Sequence, residues 1–118
     1  MNEFIATLFL AREAAHRYHL STKSYAQHKA LQNFYEDILD LTDDLAELSQ
    51  GAYGILDIPI LTEKKQYKEP LYCIADKLKY VENNRYKAYS QKETALQNKI
   101  DEIVAVFLRT IYKLENLK

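Results

Sequence analysis

All three histidines of this 118-residue chain, His16, His19 and His28, fall close together near its start. Imidazole is the commonest protein ligand for iron, zinc and copper. Two such rings brought together would make a metal site. The other use of the same residues is a pair of core histidines bonded to carboxylates or carbonyls. Further along, Glu36, Asp37, Asp40, Asp43, Asp44 and Glu47 form a run with no Lys or Arg among them. Asp43 and Glu47 stand four apart, which places them on one helix face, flanked by Leu39 and Ala46. Hard carboxylate oxygens together with imidazole suit Fe(II) or Mn(II). Asp37, Asp40 and Asp44 read as a solvated face. Glu13-Ala14-Ala15-His16 supplies, once, the Glu-x-x-His spacing that carboxylate-bridged di-iron bundles use twice. No histidine follows His28, so a standard di-iron site inside one bundle is incomplete. Cys73 has no base beside it in the sequence and reads as a buried thiol. No residue is assigned a catalytic role.

The elements that must position these groups are helical. Ile5, Leu8, Arg12, Ala15 and His19 recur at helical spacing from about Asn2 to His19, widened by Phe4, Phe9 and Ala11. Ser24-Tyr25-Ala26-Gln27 has the form of a capping box. It opens a second helix with His28, Leu31, Phe34, Tyr35, Ile38, Leu41, Leu45 and Leu48 on one face, and Gly51 is its expected stop. The pattern lapses from Ala52 to Lys68. Pro70 fits the first turn of a third helix, with Leu71, Ile74, Ala75, Leu78 and Val81 inward. Ser90-Gln91-Lys92-Glu93 is a second capping box, before a helix striped by Leu96, Ile100, Ile103, Val104, Phe107, Ile111 and Leu114. The expected fold is an all-α, antiparallel four-helix bundle occupying residues 1–118 as a single domain.

The middle link decides between two topologies. A second helix of about 26 residues spans ~39 Å, and a link of about 17 residues reaches ~55 Å when extended. A lengthwise crossover and a loose hairpin are both open. Ile55, Leu56, Ile58, Ile60 and Leu61 would be poorly soluble if left in water, so the link packs along its own bundle, forms a subunit interface, or does both.

Composition narrows the function classes. Lys and Arg number 16 against 17 Asp and Glu, a net charge of −1, which gives no overall bias toward nucleic acid. The third quarter is locally basic, with Lys64, Lys65, Lys77, Lys79, Arg85 and Lys87 among tyrosines, but Glu63, Glu69, Asp76 and Glu82 interrupt it and a solvated surface is the expectation. One cysteine excludes an internal disulfide. No apolar run reaches the roughly 18–20 residues of a membrane span, and the start lacks the order of a secretory signal. A soluble protein of the cytoplasm is expected. Ten tyrosines and no tryptophan are the compositional oddity. Tyr72, Tyr80 and Tyr86 on the third helix offer surface for a protein partner or small ligand.

The run from His16-Arg17-Tyr18-His19-Leu20 through Gln27-His28-Lys29-Ala30-Leu31, Phe34-Tyr35 and Asp43-Asp44-Leu45-Ala46-Glu47 resembles the first two helices of the Dps-like mini-ferritins, in the ferritin-like superfamily. The resemblance covers roughly residues 10–50. It implies iron held at a twofold interface, by a histidine pair of one subunit and an Asp and Glu of its neighbour, and hence a homo-oligomer. Carried over, the ligands are His28, Asp43, Glu47 and either His16, which keeps the spacing, or His19, which sits on the better face. The family's Trp after the first His is absent, since Arg17 follows His16 and Leu20 follows His19. Residues 19–28 also resemble a family of short, uncharacterised tailed-phage proteins. Two readings follow. One is a ferritin-like bundle that binds Fe(II) or another divalent metal, with at most a weak ferroxidase-like activity. The other is a non-enzymatic phage interaction or structural protein that binds a host partner or ligand through its tyrosine-rich third helix and aliphatic crossover.

Overall fold

Capping chemistry sets where the helices begin and end. In the computed structural model, which describes residues 1–118, the elements are α1 (Asn2–Ser21), α2 (Tyr25–Tyr53), α3 (Pro70–Ala88) and α4 (Thr94–Asn116), with no strand. The Ser24 hydroxyl accepts from the Gln27 N–H at 3.2 Å and caps α2. The return half of that box is taken by Thr22: its hydroxyl donates to Gln27 Oε1 at 2.8 Å and accepts from the Ser24 N–H at 3.2 Å. Pro70 occupies the first turn of α3, as its missing donor allows.

Two expected boundaries shift. Gly51 does not end α2, which continues to Tyr53 and is capped by Gly54 at φ 93° and ψ 179°. That conformation is open essentially to glycine alone, so the second glycine, not the first, ends the helix. Ser90 does not cap α4, whose N-cap is Glu93. Half of the box forms nonetheless: the Ser90 N–H donates to Glu93 Oε1 at 2.9 Å, while the Ser90 hydroxyl accepts from the Lys92 N–H at 3.2 Å and the Glu93 N–H turns to the Ser90 carbonyl at 3.0 Å. They close the turn before the helix rather than its first turn.

Side-chain contacts give the direction of each helix. His19 at the end of α1 stacks on His28 at the start of α2, so these two are antiparallel. Phe4 at the start of α1 packs against Tyr80 and Tyr89 near the end of α3, with ring centroids 6.1 and 6.2 Å away. Helices α1 and α3 are therefore antiparallel as well, and α2 runs parallel to α3. A hairpin cannot join parallel helices. The link must travel the length of the bundle, and the open choice of the sequence resolves to a crossover. Helix α1 lies beside α2 and α3, α4 lies beside the same two, and the diagonal pairs make no close backbone approach. Phe34 of α2 meets Phe107 of α4 edge-on at 5.0 Å in the middle of the core.

The inward faces follow the helical period, with two exchanges: on α2 Leu48 is exposed and its neighbour Ser49 is buried, and on α3 Ala75 is exposed and Cys73 is buried. The crossover covers that side and makes the neighbouring position the inner one. Its aliphatics divide: Leu56, Ile58 and Leu61 are half-buried, whereas Ile55 is 87% and Ile60 97% exposed. No helix is long and apolar enough to cross a membrane.

Candidate functional site

The histidines converge where α1 turns into α2. His19 Nδ1 lies 2.7 Å from the His28 carbonyl, and His28 Nδ1 lies 2.8 Å from the His19 carbonyl. A carbonyl only accepts, so each ring carries a proton on Nδ1 and donates it. The two rings stack with centroids 3.7 Å apart and planes 19° from parallel. His16 stands one turn back and stacks on Tyr35 at 4.3 Å. The partner of His28 within the chain is thus His19. This reciprocal clasp orders the α1–α2 turn. Either His19→Ala or His28→Ala is expected to cost about 1–3 kcal/mol, since each loses one bond and the stack. The double variant should cost clearly less than the sum. Urea unfolding checks both, and strictly additive losses would show that the rings act separately.

The carboxylates lie elsewhere. Asp43 and Glu47 are exposed, and Asp43 is fifteen residues along α2 from His28, or ~22 Å. Glu13 pairs with Arg17 at 3.0 Å rather than joining His16. Within one chain, no group of three or more His, Cys, Asp or Glu could hold a metal ion. The stacked pair is no chelate either. An imidazole lone pair lies in the ring plane, so two nearly parallel, stacked rings do not aim both Nε2 atoms at one ion. His16, His28, Asp43 and Glu47 therefore do not form an intramolecular site. Both Nε2 atoms of the clasp remain outside its hydrogen bonds.

The crossover is held at its far end by charge. Lys77 of α3 pairs with Glu63. Asp76 accepts from the Tyr67 hydroxyl at 2.7 Å and from Lys65 at 3.3 Å. Burial pushes the Glu63 carboxyl up, but the bond from Lys77, the Lys65 N–H and the Lys77 charge outweigh it and leave Glu63 below its ordinary value. The Tyr67 hydroxyl, then Lys65, lower Asp76 against a smaller opposing effect of burial. Depressed carboxyls stabilise the docked crossover above their unfolded values of about 4, and that contribution is lost as pH falls through the lower folded values. Amide exchange is therefore expected to show residues 63–68 opening in acid before the helices do. The combined Glu63→Gln, Asp76→Asn variant should make that opening independent of pH. Burial pushes the neighbouring Cys73 thiol up to about 11, against the pull of Lys77, so it stays protonated and is no nucleophile at neutral pH.

Between this latch and α2 lies an open groove of about 1040 Å³. Its floor is the outer face of α1, with Phe9, Leu10 and Ala14; one wall is Ile58–Glu63 of the crossover and the other is Leu39 of α2. Arg12 and Arg17 stand along it. The three tyrosines proposed for binding do not share it. Tyr72 and Tyr86 are exposed, whereas Tyr80 is half-buried against Phe4 and serves packing.

Residues 19–114 match a family described as a family of unknown function, DUF5856. The chain belongs to DUF5856. The match starts at His19 and so takes in the clasp, the crossover and the latch, but not His16. This DUF5856 chain is similar to a protein of Enterobacteria phage T4 described as "Uncharacterized 14.6 kDa protein in mobD-ri intergenic region", with 28% identity over 113 residues that cover 96% of this chain and 86% of the phage protein. No solved structure matches.

Within the DUF5856 chain, the latch and the groove were not legible beforehand. Glu63, Lys65 and Tyr67 alternate along the link, which is the one sequence signal that a single edge of an extended segment faces Asp76 and Lys77. Arg12 stands out only as a charge within an otherwise apolar stripe.

Proposed function

We propose that this DUF5856 protein is a phage-encoded, non-enzymatic binding protein of the host cytoplasm, whose groove between α1 and the crossover receives an apolar ligand. The groove itself carries the reading. Its volume of about 1040 Å³ is close to the upper limit of small-molecule pockets, and its floor is apolar, as such sites require. The similarity to a phage T4 protein supports the phage setting. The test is Nile red fluorescence, an uncharged apolar probe. Saturable enhancement that Leu10→Glu removes, with helicity unchanged by circular dichroism, supports the reading. No enhancement, or one indifferent to Leu10→Glu, rejects it.

A second reading is favoured by the histidines. A metal-bound histidine commonly donates its other ring N–H to a carbonyl or carboxylate, and His19 and His28 each donate in this way. In a ferritin-like oligomer, His28 with His16, or a single ring of the stacked His19–His28 pair, would face Asp43 and Glu47 of a second copy around Fe(II) or another divalent ion. The parallel α2 and α3 joined by a lengthwise crossover are the topology such a bundle needs. An anaerobic Fe(II) titration decides it: saturable binding lost in His28→Ala and Asp43→Ala supports a shared site, and a flat titration removes it.

A further inference from the structure

Arg12 is a half-buried cation whose donors are poorly matched. Its side chain is 26% exposed, its Nε is buried with no hydrogen-bond partner, and its Nη1 reaches Glu13 only at 3.5 Å. Glu13 is itself engaged by Arg17 at 3.0 Å. The guanidinium carbon lies 5.5 Å from the Tyr35 ring centroid, which holds the side chain between α1 and α2 without supplying an acceptor. Other half-buried cations contrast with it. Arg85 donates to Gln97 Oε1 at 2.8 Å, the Gln97 carbonyl at 2.9 Å and Asp101 at 2.7 Å. Lys77 pairs with Glu63, and Lys99 reaches Glu102 at 2.8 Å. A guanidinium cannot shed its proton, and a partly desolvated charge with one long ion pair and an unpartnered Nε is costly. An anion delivered from outside would offset that cost.

We propose that the ligand of this groove is a small amphiphile with a carboxylate head on Arg12 and an aliphatic or aromatic body along Phe9, Leu10, Leu39 and Ile58. The inference rests on the groove reading and adds the charge of the ligand to it. Planar guanidinium matches a carboxylate with two parallel N–H···O bonds.

The experiment is displacement of Nile red from the full chain by decanoate and by decanol, both below their aggregation limits. Decanoate is expected to compete at least about tenfold better, the effect of one charge-assisted bond. Arg12→Met should erase that difference while leaving decanol unchanged. Removing a partly buried, poorly matched charge should also leave the variant as stable as the parent or more so, which keeps the test interpretable. Arg12→Lys, which keeps the charge but not the planar fork, should retain part of the preference. Equal competition by the two probes, or a decanoate preference that survives in Arg12→Met, overturns the inference while the groove reading stands. Displacement by neither probe overturns both.

Discussion

Phe34→Ala is expected to lower the unfolding free energy by about 3–5 kcal/mol, because a large buried aromatic leaves a cavity that rigid helices only partly close. Phe34 is fully buried where α2 crosses α4, its ring edge-on to Phe107. A chain of this size has about 5–15 kcal/mol in total, so roughly a fifth or more of its stability is at stake. Urea denaturation provides the measurement. The pair itself is expected to couple by about 0.5–1.5 kcal/mol in a double-mutant cycle with Phe107→Ala. A loss near 1 kcal/mol for Phe34→Ala would mean the helices close the gap and that α2 and α4 are not rigidly packed. The consequence reaches function, since α2 carries both Tyr35, which braces Arg12, and Leu39, one wall of the groove.

The second large effect is expected at Gln97, a polar side chain that looks replaceable by any apolar residue on the inner stripe of α4. Its Nε2 donates to the carbonyls of Tyr89 and Arg85, at 3.0 and 3.2 Å, and its Oε1 accepts from Arg85 Nε at 2.8 Å. One carboxamide thus satisfies the last turn of α3 and fixes the arginine that grips Asp101. Gln97→Leu leaves the Tyr89 carbonyl and the Arg85 Nε–H without partners, while the Arg85 carbonyl keeps the Tyr89 N–H at 3.1 Å, at an expected cost of about 2–4 kcal/mol despite its better hydrophobicity. Gln97→Glu is a useful contrast. It keeps the acceptor for Arg85 but cannot donate to either carbonyl, so it should also be destabilising at neutral pH. A Leu variant as stable as the parent would show that water replaces the network at no cost.

How much of the site could be read beforehand differs residue by residue. The nearness of His19 and His28 was legible, because both lie on inward stripes at opposite ends of a short turn. What they do there was not. Spacing cannot distinguish rings that converge on an ion from rings that stack and bond each other's carbonyls, since both arrangements place the same residues together. The choice depends on side-chain torsions that only the packed turn sets. The distance from His28 to Asp43 and Glu47 follows directly from the rise of a helix, so the sequence alone excludes their meeting within one chain. Arg12 was placed inward by periodicity, but its unpartnered Nε and its single long pair with a Glu13 shared with Arg17 emerge only in the packed structure.

The helices themselves were determined locally. Period, Pro70 and the Ser24 cap act within a few residues of one another, so the sequence by itself specifies four helices, their inner faces and the short turns that pair α1 with α2 and α3 with α4. Its errors were local too: Gly51 tolerates a helix interior at a modest cost, whereas Gly54 adopts a backbone conformation that other residues avoid. Direction of the middle link was beyond such rules. An extended segment has no period of its own and fits a hairpin or a crossover equally well. Tertiary packing decided it, through Phe4 against Tyr80 and Tyr89 at one end and the ion pairs of Glu63 and Asp76 at the other. The groove exists only because that choice lays an apolar strand beside α1, leaving between them a space that no stretch of sequence encodes alone.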